Sequence, residues 1–318
     1  MAKPVALYYT IMRYQPDNRA LLDRLFTVVE RADPSAASAA DFRGVEVLFA
    51  PLGYKVDKAQ MDACPQLRAI VSNTTGVPHI DIREAARRGV AICALHDEQK
   101  FLDTITPTAE HAIGMMHAAL RRLPAAHAAA AAGQWDRRPW GAPAMLSRMS
   151  LGLVGYGRLG RRVGQIARAI GMSVRWYDPY VQGGVGSLEG LARESQVLSI
   201  HAVANAETTG LVSRAALEAL PQNAIVVNTA RAEVLDLDAL LDLLERGRLW
   251  AAALDVVDGE YEPGFGATFA DSRAARYARS HDNLILTPYI GGSTIDAWRE
   301  TERRVIDKAA AVLGLKAA

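Results

Sequence analysis

The sequence predicts an α/β protein built from two parallel-sheet domains. Three observations carry that expectation. Apolar runs of strand length alternate with helical stretches along most of the chain. At 318 residues there is room for two cores of ordinary size. A glycine-rich turn between a strand and a helix sits in mid-chain, as it would in a nucleotide-binding unit inserted into another α/β domain. Half of the residues are hydrophobic and the formal net charge is +1, which indicates neither a basic nucleic-acid face nor an acidic tail. Cys64 and Cys93, the two cysteines, give no disulfide framework and no zinc spacing, so no metal is expected and a reducing compartment is. The chain opens on a strand-like run instead of a signal-peptide h-region, and no apolar run is long enough to span a bilayer. A cytoplasmic protein with no membrane or nucleic-acid partner is expected.

In order, Val5–Thr10 reads as a strand and Arg19–Arg31 as an amphipathic helix with Leu21, Leu22, Leu25, Phe26 and Val29 on one face. Val45–Ala50 is a strand, Asp57–Cys64 a short helix and Leu67–Ser72 a strand. Asp81–Gly89 is a helix closed by glycine, and Val90–Ala94 a strand. Thr108 to about Gly133 is one long alanine-rich helix, expected to bridge the domains. Gly133 to Ser150, with Trp135 and Trp140 among prolines and glycines, is a loop suited to an interface arm.

The second α/β unit continues after its glycine-rich βαβ with helix Leu188–Glu194, strand Val197–His201, helix Ser213–Leu220 and strand Ala224–Thr229. Helix Leu237–Arg246 and strand Ala251–Val256 follow. Glu260 to Asp282 is expected to be a long irregular loop, followed by strand Leu284–Thr287, the turn Pro288–Gly292 and a final helix from Ile295 to Leu313. Residues 1–101 with 293–318 would form one domain and 102–292 the other, with a ligand cleft between them at the carboxyl ends of the strands.

The glycine-rich stretch is Leu151-Gly-Leu-Val-Gly155-Tyr-Gly157-Arg158-Leu159-Gly160, running on to Trp176-Tyr177-Asp178. Gly155 suits the sharp turn out of the strand. Gly157, without a side chain, lets a pyrophosphate approach the backbone. Gly160 lets the helix pack close to the sheet. The helix start offers free N–H groups and a positive dipole end to the phosphates. Asp178 closes the next strand, where an acid accepts both hydrogen bonds of a ribose diol and repels a 2′-phosphate. The expected cofactor is therefore NAD and not NADP.

Three further stretches lie at strand ends. Arg231 ends Val227-Asn-Thr-Ala-Arg. A fixed guanidinium there holds a carboxylate bidentately; equally, it is a surface arginine capping the next turn, and position alone does not separate the two. Asp255, in Ala253-Leu-Asp-Val, is placed to accept from a nicotinamide carboxamide, with Glu260 just beyond. Thr287-Pro-Tyr289-Ile-Gly291-Gly292 turns from a strand into a helix.

Taken together, these stretches resemble the D-2-hydroxyacid dehydrogenase family, the group of phosphoglycerate, glycerate and D-lactate dehydrogenases, over nearly the whole length. The matching residues include Thr108-Ala-Glu-His111, the mid-chain glycine turn, Asn228-Thr-Ala-Arg231, Ala253-Leu-Asp-Val, Glu260 and the Thr-Pro-x-Ile-Gly-Gly turn. The resemblance implies two Rossmann-like or flavodoxin-like domains, NAD, a small 2-hydroxy or 2-oxo acid as substrate, and a homodimer. Residues 1–101 with 293–318 would be the substrate domain. It also implies cofactor contacts from Thr108, Gly155, Gly157, Arg158, Leu159, Gly160, Asp178, His201, Thr229, Ala230, Asp255, Gly291 and Gly292. The loop Ser72–Val77 resembles the family's carboxylate loop, with Thr75 and Gly76 on the substrate. Of the catalytic set, Arg231 matches the arginine and Glu260 the glutamate, Glu262 being the weaker match. His111 and His201 stand where the family has histidine outside that set and are expected to be structural, His201 on the cofactor side.

The family's acid–base histidine belongs in Thr-Pro-His-Ile-Gly-Gly, where this chain has Tyr289. Histidine titrates near neutrality and both donates and accepts a proton. Tyrosine, with a reference pKa of about 10, donates readily but is a poor base. Tyr289 is therefore expected to favour reduction over oxidation. The alternative expectation is an NAD(H)-binding relative with impaired catalysis, acting as a sensor or scaffold.

Overall fold

In a computed structural model, which describes residues 2–262 and 264–315, the chain divides into two compact units. One comprises Met1–Ile105, Tyr261–Pro263 and Thr294–Ala318; the other comprises Thr106–Glu260 and Gly264–Ser293.

Among the described residues the first unit holds five parallel strands: β1 (Val5–Tyr9), β2 (Thr27–Arg31), β3 (Val45–Phe49), β4 (Ala69–Val71) and β5 (Ala91–Cys93), in the order β2-β1-β3-β4-β5. Side chains alternate along β1 as the pleat requires. Ala6 and Tyr8 join the core formed with helices Pro16–Leu25 and Ile295–Val312, while Leu7 and Tyr9 join Met61 and Ala85 in the core on the opposite side. The last helix thus packs with elements from the beginning of the chain. Glu302 Oε2 accepts from Gln15 N at 2.8 Å and from Asn18 Nδ2 at 2.9 Å, tying that helix to the first one.

The stretch expected as one helix from Arg19 to Arg31 is a helix followed by a strand. Pro16 starts the helix in the first turn, where its missing N–H costs nothing. Phe26 is extended, and Thr27-Val28-Val29, which is β-branched, pairs with β1 residue by residue as an edge strand.

The second unit holds β6 (Ser150–Val154), β7 (Ser173–Tyr177), β8 (Val197–Ile200), β9 (Ala224–Asn228), β10 (Leu249–Leu254) and β11 (Leu284–Leu286). All are parallel, in the order β7-β6-β8-β9-β10-β11. In both sheets the chain runs from a first strand out to one edge and then crosses back. The order reverses beside β6, between β6 and β8, and such a switch point leaves a crevice at the carboxyl ends of the strands. β8 and β9 are buried along their whole length, as a parallel sheet covered on both faces demands.

The helix expected to run from Thr108 to Gly133 is two helices, Pro107–Arg121 and Leu123–Ala131, separated by Arg122 at φ +48°. Pro124 explains the break. In a continuous helix its ring would press on the Leu120 carbonyl, which here accepts the Trp250 indole N–H at 3.0 Å. The first helix buries Ala109, Ala112, Met115 and Met116 against this unit's own sheet, whereas the second buries nothing. The expected irregular loop at 260–282 contains helices Phe265–Thr268 and Arg273–Ser280. Ser272 caps the latter by accepting from Ala275 N, and Arg273 pairs with Asp238 and Asp242.

Among the described residues no helix is long and apolar enough to cross a membrane, and no group of three or more His, Cys, Asp or Glu is placed to hold a metal.

Candidate active site

The glycine turn lies at the switch point of the second sheet. Gly155, at φ +89°, leaves β6 so close to the end of β8 that a Cβ would stand 2.8 Å from Ala202 N and 2.9 Å from the His201 carbonyl carbon. A Cβ on Gly160 would collide with the Gly155 carbonyl oxygen, so the helix Arg158–Ile170 begins directly on the turn. Gly157 is the opposite case: nothing lies within 4 Å of the space its Cβ would fill. It precedes a 13-residue helix that has no side-chain cap and no acid in its first turn. An uncapped helix start beside the open space at Gly157 is the arrangement that suits a phosphate. Arg158 and Leu159 open the helix, Leu159 packed against the apolar cluster beneath it.

Asp178 follows β7. Its carboxylate accepts from Tyr156 N at 2.8 Å and from Tyr180 N at 2.9 Å, so it holds the glycine turn as well as its own. Tyr156 stacks on Trp176, ring centroids 4.1 Å apart and 9° from parallel, and its hydroxyl accepts from Arg168. At the end of β8, His201 Nε2 lies 2.9 Å from Ser199 Oγ, while its Nδ1 is shut from solvent without a hydrogen-bond partner among the described residues. Burial brings this imidazole down to about 4, so it is neutral at physiological pH. Thr229 Oγ1, after β9, is likewise buried and unpartnered. Unsatisfied buried polar atoms are costly and uncommon. Two of them at adjacent strand ends, next to an open helix start, fit a polar group bound in this crevice.

A second cluster lies at the ends of β9, β10 and β11. Asn228 pins the turn that carries Arg231: its side chain accepts from Ala230 N at 3.0 Å and donates to Arg231 O at 2.9 Å. Arg231 Nη1 donates to Ala230 O at 2.7 Å. The guanidinium carbon stands 5.7 Å from the centroid of the Tyr289 ring. Tyr289 is a non-glycine residue at φ +54°, and its N–H donates to Asp255 O and Thr287 O. A bulky side chain in the left-handed region is strained, and surrounding structure must hold it there.

Asp255, only 3% exposed, supplies that structure. Its Oδ1 accepts from Thr287 Oγ1 at 2.6 Å and Ile290 N at 2.9 Å, and Oδ2 accepts from Gly291 N at 2.8 Å. His111 Nε2 lies 3.2 Å from Thr287 Oγ1 and 3.4 Å from Asp255 Oδ1. A Cβ on Gly291 would meet Asp255 Oδ2 at 2.8 Å, His111 Cδ2 at 3.3 Å and Thr108 Cγ2 at 3.5 Å; the space at Gly292 borders Thr108 Oγ1. Both Asp255 oxygens are thus engaged by the turn that presents Tyr289, a role its sequence position did not suggest. Glu260 sits in the turn beyond β10, where its carboxylate accepts from Val257 N at 3.4 Å.

Thr75 and Gly76 belong to the first unit, exposed at the tip of the loop after β4. Thr74 Oγ1 donates to Gly76 O at 2.7 Å and contacts Ser72 Oγ at 2.9 Å, which shapes that tip. Asn228 was missing from the site residues read in the sequence, although asparagine two residues before a turn N–H is a legible signal. The Trp176 stack and the Asp178 bond to Tyr156 depend on register between strands and had no local signal.

A family model described as "D-isomer specific 2-hydroxyacid dehydrogenase, NAD binding domain" matches residues 113–291, more than half of the chain. The chain belongs to the D-isomer specific 2-hydroxyacid dehydrogenase family. Its cofactor is NAD, carried by the unit just described. Among similar proteins, a glyoxylate reductase of Thermococcus litoralis is 29% identical over 312 residues, covering 90% of this chain and 88% of the relative. A D-3-phosphoglycerate dehydrogenase of Methanocaldococcus jannaschii is 29% identical over 85% of this chain, which spans 50% of that longer relative. The crystal structure of the TT0316 protein of Thermus thermophilus superposes with a TM-score of 0.82 at 27% identity, covering 98% of this chain and 97% of that one.

Proposed function

We propose that the protein is an NAD-dependent D-2-hydroxyacid dehydrogenase working mainly as a reductase of a small 2-oxo acid. The observation that carries this is the fixed guanidinium of Arg231 beside Tyr289, in the same unit as a glycine turn open to a dinucleotide. Glyoxylate reductase activity in a relative covering most of both chains supports a small oxo acid. Gly157 and the N–H groups that follow it take the pyrophosphate, Asp178 the adenosine ribose, and Thr229 Oγ1 and His201 Nδ1 neighbouring polar groups of the cofactor.

When bound, reduced NAD supplies the hydride for the keto carbon. Arg231 pairs with the substrate carboxylate and polarises the keto oxygen. The Tyr289 hydroxyl, in the place of the family's histidine, gives the proton that completes the new hydroxyl. Glu260 is assigned the family's carboxylate position. Thr75 and Gly76 are assigned to substrate binding through backbone N–H groups.

We carry a homodimer through the NAD unit in the same reading. It rests on Trp135, 93% exposed, and on the unburied helix Leu123–Ala131 before it. A cytoplasmic location rests on Cys64 and Cys93, both free thiols.

A second reading, an NAD(H)-binding relative with impaired catalysis, rests on Tyr289 alone. The test of the first is Arg231→Ala. NADH binding, read by fluorescence, should persist while NADH oxidation with a 2-oxo acid falls by about 10²-fold or more. Unchanged turnover would remove Arg231 from its role.

A further inference from the structure

We infer that Tyr289 is a positioning residue for Arg231, its ring being the face that holds the guanidinium in its carboxylate-binding pose. The inference rests on the reading that Arg231 takes the substrate carboxylate. Among the described residues no carboxylate lies within ion-pair distance of Arg231, whereas arginines such as Arg19, Arg31, Arg88 and Arg273 each pair with one or two. The side chain is held instead by one hydrogen bond from Nη1 to Ala230 O and by the Tyr289 ring at 5.7 Å.

An aromatic face attracts a cation without neutralising it and without consuming an N–H donor. The guanidinium therefore keeps its charge and its remaining donors for an incoming carboxylate, and its search over rotamers is already restricted. The ring is itself fixed from below. Tyr289 N donates to Asp255 O and Thr287 O, and the next two N–H groups, of Ile290 and Gly291, go to the Asp255 carboxylate. The left-handed backbone at φ +54° is what this turn imposes. A histidine in this position would carry positive charge beside Arg231 whenever protonated; a phenol does not. The ring and the hydroxyl of Tyr289 then have separable tasks: the ring sets the affinity for the carboxylate, and the hydroxyl serves the proton.

The test is binding of oxamate, an unreactive mimic of a 2-oxo acid, to the NADH complexes of the native protein, Tyr289→Phe, Tyr289→Leu, Tyr289→Met and Arg231→Ala. NADH binding by each variant shows that the cofactor unit is intact, and the two non-aromatic variants back each other up. Tyr289→Phe should hold oxamate within about twofold of native, while Tyr289→Leu and Tyr289→Met should weaken it about tenfold. With a turned-over oxo acid KM should rise in the non-aromatic variants, whereas Tyr289→Phe, lacking the hydroxyl that serves the proton, should lose kcat by about 10²-fold or more with KM near native. Oxamate affinity equal in Tyr289→Phe, Tyr289→Leu and Tyr289→Met, with Arg231→Ala still defective, would overturn the inference and leave the Arg231 reading standing. Native-like affinity in Arg231→Ala, or none in the native protein, would overturn both.

Discussion

Thr287 and Asp255 are joined by a hydrogen bond of 2.6 Å, and the same carboxylate collects the N–H groups of Ile290 and Gly291. One buried acid therefore closes the whole turn from Thr287 to Gly291, with Tyr289 at its centre. Asp255→Ala would leave the buried N–H of Gly291 and the part-buried N–H of Ile290 without their acceptor and would take from Thr287 Oγ1 its shortest partner. The expected cost is about 3 kcal/mol, seen as a fall in Tm of roughly 6–10 °C by calorimetry. A native Tm in that variant would mean that water or another group satisfies the turn.

Two glycines of the same motif should both affect NADH binding but differ in their effect on stability. Gly157→Ala meets nothing within 4 Å and sits at φ −73°, so the fold should keep its Tm while NADH binding weakens, because the methyl group occupies the space assigned to phosphate. Gly160→Ala drives a Cβ into the Gly155 carbonyl oxygen and should lower both Tm and NADH affinity. Titration of NADH fluorescence alongside thermal melts separates the two. Full affinity in Gly157→Ala would place the phosphates elsewhere.

His201 gives a pH dependence with a definite sign. Its folded-state value is brought down to about 4 by burial, below the ordinary histidine value. The folded protein keeps this ring neutral, while the unfolded chain takes up a proton below about pH 6.5. The contribution to stability is therefore complete above that pH and is lost as pH falls toward 4, by up to about 3 kcal/mol. His201→Asn should flatten this part of a Tm-against-pH curve. An unchanged curve would assign the acid sensitivity to other groups.

Much of the fold was legible because it depends on local pattern. Strand runs, the glycine turn and the Asp178 position follow from periodicity and backbone sterics, which act over a few residues. The misreadings came where a local pattern served two outcomes. Leu21 to Val29 is apolar at helical spacing, yet the β-branched Thr27-Val28-Val29 found a pairing partner in β1. The alanine-rich run looked continuous because Pro124 falls where a helix can either end or restart.

At the site, Arg231 and Tyr289 were visible as residue types. Their mutual distance was not, since they follow different strands and the Asp255 carboxylate that fixes the turn acts through space. Asp255 looked like a ligand contact from its strand-end position. Its full set of hydrogen bonds to Thr287, Ile290 and Gly291 is a tertiary fact.

Tyr289 working in place of a histidine in a reductase is tested most directly by NADH oxidation over a panel of small 2-oxo acids, for the native protein and Tyr289→His side by side. The native protein should turn over at least one acid, with a rate that stays flat between about pH 6 and 8, while Tyr289→His gains a histidine-like limb near about pH 6.5. Turnover confined to Tyr289→His, with the native protein binding NADH but reducing none of the acids, would contradict that role and favour the binding-protein reading.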